Sequence, residues 1–259
     1  MRKRASILLA AAAAVVAAAT AATRSPDARP GRQPEPAVRV VAYGGAEYYV
    51  VHADLRRHRV RLHWKDRAGR PYGSPSALAR ALAAEGERVV AVTNGAIFSR
   101  EMAPLGLHVE RGAALVPLNR GAGTGNFFRP APNAVFAVLR DGTARIVRRD
   151  AAVPLAARMV EGAQSGPRLV ERGRTRHRFG DRRMHRTGIG VCSPTDVYLV
   201  VTRTGASLNE LARLYRERLG CADAMFLDGG GVRGLVAARD TLEENVHGAF
   251  VGMISVVER

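Results

Sequence analysis

The residue types best suited to chemistry gather at the end of one apolar run. Met225-Phe226-Leu227-Asp228-Gly229-Gly230-Gly231 delivers a carboxylate at the C-terminal end of a predicted strand and follows it with three glycines. Lacking Cβ atoms, that loop would let a ligand approach the backbone, with the N–H groups of Gly229, Gly230 and Gly231 free to cradle an anion. A carboxylate beside such a cradle suits proton transfer next to a bound anion. It equally suits a divalent ion, Ca2+ or Mg2+, held by Asp228 against a phosphate. The competing reading is a tight turn capped by Asp228, since Asp and Gly are common turn residues. The P-loop Lys-Ser/Thr and the GxGxxG spacing are both missing.

Three further polar clusters could carry ligand contacts. In Thr93-Asn94-Gly95, the Asn94 amide can donate to one sugar hydroxyl and accept from another; the alternative is an Asn-Gly turn. In Ala163-Gln164-Ser165-Gly166-Pro167, Gln164 and Ser165 are candidate hydrogen-bond partners for a polar ligand; the alternative is a bend before the proline. Ser165 does not read as a hydrolase nucleophile, because Ala163 and Pro167 stand where a nucleophile elbow needs glycine. Arg186 and Thr187 lead into the apolar Ile189-Gly190-Val191 run, and Arg203 leaves the next strand. An arginine at a strand entrance can grip phosphate through two parallel N–H donors. The seven histidines show neither HxH nor HExxH spacing, so a His-ligated zinc site is not expected.

The elements that must position these groups are mainly strands. Short β-rich runs occupy 48–53 and 60–64, and a buried run at 89–92 leads into Asn94. Runs at 134–139 and 144–147 flank Asp141-Gly142, a hairpin signal, and 189–192 and 197–202 flank a second turn. Two helices stand out. One covers 76–85 and is stopped by Gly86; the other covers 207–219, opened by a Ser207/Glu210 capping box and stopped by Gly220. Runs at 221–227 and 250–257 complete the strands. Many strands and two main helices without βαβ alternation predict a single α+β domain built on a mixed, strand-rich sheet.

The chain has 259 residues and a formal charge of +17, and Lys3 and Lys65 are its sole lysines against an excess of arginine. Beside abundant alanine, so lopsided a ratio reads as compositional bias rather than a nucleic-acid surface. One Trp and 5% aromatic residues leave few stacking platforms, so nucleic acid is not an expected partner. Residues 1–22 read as a signal peptide, with Arg2, Lys3 and Arg4 before an Ala-rich apolar run and Ala19-Thr20-Ala21 at the cleavage site. Residues 23–37 form a Pro/Arg-rich linker and 38–259 the domain. Export to the periplasm or the medium is therefore expected, with membrane attachment only through an uncleaved signal. Cys192 and Cys221, in an oxidising compartment, suggest one disulfide.

Taken in order, these segments resemble the phosphodiester glycosidase family. The resemblance is carried by 94–98, Pro104-Leu105-Gly106-Leu107, Gly125-Asn126-Phe127-Phe128 and 132–136, then by 164–170, 186–191, the 207–219 helix and 227–231. It departs at Val232, where the family often has Ser, and at Asn94-Gly95-Ala96, where the family often has Asn-Gly-Gly or Asn-Ala-Gly. The resemblance implies hydrolysis of a sugar-1-phosphodiester at its glycosidic bond, releasing the sugar. Asp228, Asn94 and Arg186 would carry the reaction. Thr187, Gln164, Ser165, Arg203 and the three glycines would bind substrate. A phosphate leaving group is a weak base that needs cations or amides to hold its charge. An ordinary glycosidase needs two carboxylates at a set separation, and Glu110 and Glu161 are the candidates for a second. The alternative reading is a non-catalytic envelope protein that binds anionic polysaccharide.

Overall fold

Three β-sheets enclose a common core, and each is covered on its outer face by a short helical segment. The computed structural model describes residues 37–125, 127–129, 133–175, 179–237 and 240–259. The expected signal peptide and all but the last residue of the expected linker lie outside them. Residues Pro36–Arg259 cluster as one unit.

In chain order the strands begin with β1 (Val38–Tyr43), β2 (Ala46–Asp54) and β3 (His58–His63), followed by helix α1 (Pro75–Ala84) and β4 (Val89–Asn94). Next come β5 (His108–Glu110), β6 (Ala113–Val116), β7 (Ala134–Leu139) and β8 (Ala144–Arg148), then a 3-10 stretch, Arg149–Arg158. Strands β9 (Met159–Ser165), β10 (Arg168–Val170), β11 (His185–Ser193) and β12 (Asp196–Thr202) precede helix α2 (Leu208–Arg213). Last are β13 (Asp223–Gly230), β14 (Val232–Ala237), β15 (Asp240–Asn245) and β16 (Met253–Glu258). The sheet orders are β1-β2-β12-β11-β13-β10, β15-β14-β4-β16-β3 and β6-β5-β9-β7-β8.

The ladders described between these strands are antiparallel, which corrects the expected single mixed sheet. The reason is connectivity. Several neighbours are joined by tight turns such as Asp141-Gly142, with Gly142 at φ 79°, and a short hairpin can only return antiparallel. The strand-rich character and the scarcity of helix are as expected.

The central core takes one face from each sheet: Val51, Ile189 and Leu199 from the first, Leu62, Leu235 and Ile254 from the second, and Phe136, Ile146 and Ala163 from the third. Each of the larger aliphatic and aromatic side chains contributes about 1.5–3 kcal/mol on full burial. The outer faces are sealed separately. Leu211, Leu214 and Tyr215 cover the first sheet, Leu78 and Leu82 of α1 the second, and Ala152 and Leu155 the third.

Helix starts follow their local codes. Ser74 caps α1 by accepting from the Ala77 N–H, and Pro75 occupies the first turn. Ser207 and Glu210 form the expected reciprocal capping box on α2. The second helix is shorter than expected, because its α-helical part ends at Arg213 and residues Leu214–Arg218 widen into a π turn. That turn seats Tyr215, fully buried, against β11. Cys192, near the end of β11, is disulfide-bonded to Cys221, just before β13. Closing a loop of this length contributes about 3–4 kcal/mol by restricting the unfolded chain.

Candidate functional site

Strand β13 runs through the first sheet between β10 and β11, and its C-terminal end forms the candidate site. In the β11 register, Thr187 lies opposite Asp228 and Gly188 opposite Phe226, so Leu227 is the extra residue of a β-bulge. A bulge breaks the two-residue alternation of side chains and re-aims the residue that follows, here Asp228. Two contacts pin the strand just before the carboxylate. The Ser165 hydroxyl donates to the Leu227 carbonyl at 2.6 Å, and the Phe226 N–H donates to the Pro167 carbonyl at 3.0 Å.

Asp228 Oδ1 accepts the Gly229 N–H at 2.7 Å, and Oδ2 has no hydrogen-bond partner among the described residues. Burial raises the carboxyl to about 7, against a smaller lowering by the Gly229 N–H. Removal from water disfavours the charged form, and one amide donor does not offset it. The group therefore exchanges its proton near neutrality.

The glycines do not form the expected open cradle. Gly229 and Gly230 continue β13 and lie opposite Arg186 and His185, while the Gly229 N–H is spent on Asp228. Their lack of a side chain serves close approach instead. A Cβ on Gly229 would fall 2.3 Å from the His185 carbonyl oxygen, and Gly230 has φ 76°. Gly231 turns the chain into β14, where its carbonyl accepts the Val246 N–H, and it lines neither cavity beside Asp228.

Asn94 ends β4 in the second sheet and is buried. Its Oδ1 accepts the Thr187 hydroxyl at 2.8 Å and the Gly234 N–H at 3.0 Å, joining β4, β11 and β14 behind Asp228. Its Nδ2 is buried without a hydrogen-bond partner among the described residues. A buried donor left unsatisfied costs about 1–3 kcal/mol, and such costs concentrate where function requires a particular arrangement.

Two cavities meet at Asp228. One, of about 290 Å3, is lined by Arg129, Arg182, Arg186 and Phe226; the other, of about 360 Å3, lies toward Phe98 and His247. Ile97, Asp228 and Gly229 border both. Among the described residues, no carboxylate forms an ion pair with Arg129, Arg182 or Arg186. Arg186 Nη2 donates to the Arg182 carbonyl at 3.1 Å and Nε to the Ala206 carbonyl at 3.3 Å, and its guanidinium lies 5.5 Å from the centre of the Phe226 ring. Burial, then the neighbouring Arg182, lowers its affinity for its proton, both being penalties for concentrated positive charge out of water. Opposite charges thus line one cavity without pairing with each other, which leaves the space between them suited to a bound anion.

The remaining expected site residues lie elsewhere. Gln164 is fully buried and its amide is consumed by protein groups: Oε1 accepts from Leu107 and Asn119, and Nε2 donates to the Asn119 carbonyl and, at 3.4 Å, to Asn133. It holds 105–119 against β9 and lines neither cavity beside Asp228. Ser165 is also buried; it anchors the bulge. Arg203 points outward to Glu47 at 3.1 Å, because β12 ends before the cleft and the residues after it face solvent. Glu110 pairs with His108 at 2.8 Å, and Glu161 accepts the Leu62 and Arg111 N–H groups. Among the described residues, no second carboxylate lines either cavity with Asp228.

A divalent ion fits this donor set poorly. Asp228 is one carboxylate whose ionisation burial already opposes, arginines face it, and no group of three His, Cys, Asp or Glu able to hold a metal occurs among the described residues. Arg129 and Arg182 were not expected from the sequence. Each is one arginine among many, and no local pattern marks the two that line this cavity.

Comparison with known proteins bears on this geometry. The uncharacterized protein YigE of Escherichia coli (strain K12) is 30% identical over 174 residues, covering 66% of this chain and 67% of YigE. The zebrafish N-acetylglucosamine-1-phosphodiester alpha-N-acetylglucosaminidase catalytic domain, solved auto-inhibited by its pro-peptide, superimposes with a TM-score of 0.57. It shares 16% identity over 88% of this chain and 86% of that one. A protein of Burkholderia pseudomallei K96243 described as exported superimposes with a TM-score of 0.57 at 13% identity, over 82% of this chain and 74% of that one. These structures share the fold. Residues 87–254, which include Asn94, Arg186, Thr187 and Asp228, match the phosphodiester glycosidase family, and the chain belongs to that family.

Proposed function

We propose that the protein is an exported hydrolase that cleaves a sugar-1-phosphodiester at its glycosidic bond and releases the sugar. The observation that carries this reading is the meeting of one unpaired carboxylate with three arginines that lack carboxylate partners among the described residues, around one cavity. In the proposed reaction, the oxygen of a water molecule attacks the anomeric carbon. The bond from that carbon to the phosphate oxygen breaks, and its electron pair leaves with the phosphate. Asp228 accepts the proton of the attacking water and passes it to solvent. Arg129, Arg182 and Arg186 hold the charge that grows on the departing phosphomonoester.

A phosphate leaving group makes a second carboxylate unnecessary, which agrees with the lack of one beside Asp228 among the described residues. Asn94 and Thr187 act as positioning residues that brace the strand opposite Asp228. Export to the periplasm or the medium is supported by the exported Burkholderia relative. Among the described residues, no helix is long and apolar enough to cross a membrane.

The test is turnover of methyl esters of α-glucose 1-phosphate and α-N-acetylglucosamine 1-phosphate in oxygen-18 water, with and without chelator. Label is expected in the released sugar, at a rate the chelator does not change. Label in phosphate alone would mark P–O cleavage and overturn the assignment. Salt-sensitive binding of an anionic polysaccharide without cleavage of any diester would instead favour the non-catalytic envelope protein.

A further inference from the structure

The second cavity has a different character from the arginine-lined one, and nothing described so far uses it. Beyond the three residues it shares, it is lined by Phe98, Ser99, Arg100, Met102, Val232 and His247. From this juxtaposition we infer that the cavity is the sugar subsite, with Phe98 and His247 as its specificity-determining walls, and that the arginine cavity receives the phosphate. The inference rests on the proposed reaction at Asp228.

Geometry makes the first case. A glycosidic bond has a sugar on one side and a phosphate on the other, and a reacting group must sit between them. Asp228 occupies that place, since it borders both cavities. The arginines assign the phosphate to one side, which leaves the sugar to the other.

The chemistry of the walls makes the second case. A pyranose ring presents apolar C–H faces and a girdle of hydroxyls. Phe98, Met102 and Val232 supply apolar surface for the faces. Ser99, Arg100 and His247 supply polar groups for the girdle. The rings of Phe98 and His247 stand edge to face with centroids 5.7 Å apart, so two aromatic surfaces meet at nearly a right angle.

Both rings sit on braced backbone. Phe98 forms a β-bridge to Pro104, and the Ser99 N–H donates to the Ala103 carbonyl across a turn in which Met102 has φ 57°. A non-glycine residue in the left-handed region is uncommon, and such backbone tends to occur at ligand-binding walls. On the other side, Asn245 accepts the His247 N–H through Oδ1 and donates to the Ala249 carbonyl, which shapes the 245–249 turn. The cavity volume of about 360 Å3 is at the small end of ligand sites, consistent with a single sugar ring.

The experiment uses the full mature chain and two probes, inorganic phosphate and free N-acetylglucosamine, alone and together. With separate subsites, both are expected to bind at once, so double-inhibition plots intersect and calorimetric titration of one in the presence of saturating other still shows binding. His247→Ala and Phe98→Ala are expected to weaken the sugar about tenfold and leave phosphate within about twofold. Arg182→Ala is expected to do the reverse. Since His247 is exposed on a turn, its variant reads the subsite even where Phe98→Ala fails to fold. Mutually exclusive binding of the two probes, or His247→Ala weakening phosphate as much as sugar, would overturn the assignment. If the parent protein turns over no glycosyl phosphodiester, the proposed reaction fails, while the calorimetric pair still decides whether the two cavities bind these two groups.

Discussion

Two carboxyl groups in this molecule, Asp228 and Glu161, are pushed up to about 7, and burial is the main cause in both. They differ in how their oxygens are committed. Glu161 is 3% exposed and both of its oxygens accept backbone N–H groups, from Leu62 at 2.9 Å and Arg111 at 3.3 Å. It stitches β3 of the second sheet to β9 and the β5–β6 turn of the third. It borders a cavity of its own, but its oxygens are committed to the backbone. Asp228 accepts one N–H, from its own neighbour, and keeps Oδ2 for whatever enters the two cavities. A raised carboxyl therefore marks a desolvated site, and the uncommitted oxygen distinguishes a reactive one.

The strongest way to break this comparison is to remove each carboxylate's charge in turn. Asp228→Asn is expected to lower kcat by about 10^2–10^4, the usual contribution of a positioned acid or base, while Glu161→Gln stays within a few-fold of the parent. Initial rates on the methyl glycosyl phosphodiesters measure both. Equal losses would mean that the two groups are not different in kind.

Stability as a function of pH gives the next largest effect. A carboxyl whose folded pKa lies above its unfolded value keeps its proton in the folded state after the unfolded chain has lost it. The folded state is thus progressively penalised as pH rises from about 4 to about 7, and the penalty is constant above that. For either group it is at most about 4 kcal/mol, since each tenfold difference in proton affinity between the folded and unfolded chain is worth about 1.4 kcal/mol. Asp228→Asn is expected to raise the Tm at pH 8 and leave it nearly unchanged at pH 4, because the asparagine Oδ1 can still accept the Gly229 N–H. Glu161→Gln should gain less, since its Nε2 must face one of two backbone donors. Thermal melts at the two pH values decide this. The rate follows the same titration in reverse: kcat/KM should rise with pH through about 7, as Asp228 becomes the base.

Smaller effects sharpen the contrast between the surroundings. Arg186→Gln is expected to weaken inhibition by inorganic phosphate about 10–100-fold, as losing a charge-assisted hydrogen bond would, whereas Arg111→Gln beside Glu161 leaves it unchanged. Ser165→Ala removes the hydroxyl that holds the Leu227 carbonyl, at a residue that lines neither cavity beside Asp228. It should lower kcat several-fold with KM preserved, and a shift of KM instead would show that Ser165 contacts substrate.

How much of this is legible in the chain depends on the range of the interaction. The capping box at Ser207 and Glu210, the Asp141-Gly142 hairpin and the strand leading to Asp228 rest on neighbours within a few residues, and each appears where the local pattern puts it. The pairing of Cys192 with Cys221 is the one that a count of two cysteines and the expected export point to. Asn94 also lies beside the site, though its role there is to tie strands together. Gln164, Ser165 and Arg203 read as ligand contacts because polar residues at strand ends are ambiguous. The same donors and acceptors serve a ligand or the backbone, and only the neighbouring chain decides which. The glycine triplet misleads for a related reason, since lack of a Cβ suits an open anion cradle and a crowded strand crossing equally well.

The amino-acid order alone determines a strand-rich chain with two capped helices and a lone aspartate delivered before three glycines, because side-chain alternation, capping and turn geometry act over a few bonds. Tertiary structure alone decides that the strands form three antiparallel sheets around one core and that a bulge at Leu227 re-aims Asp228. It alone selects Arg129 and Arg182 from a crowd of identical side chains, and sets Phe98 opposite His247. Those outcomes depend on which distant segments desolvate each other, and no local pattern encodes that.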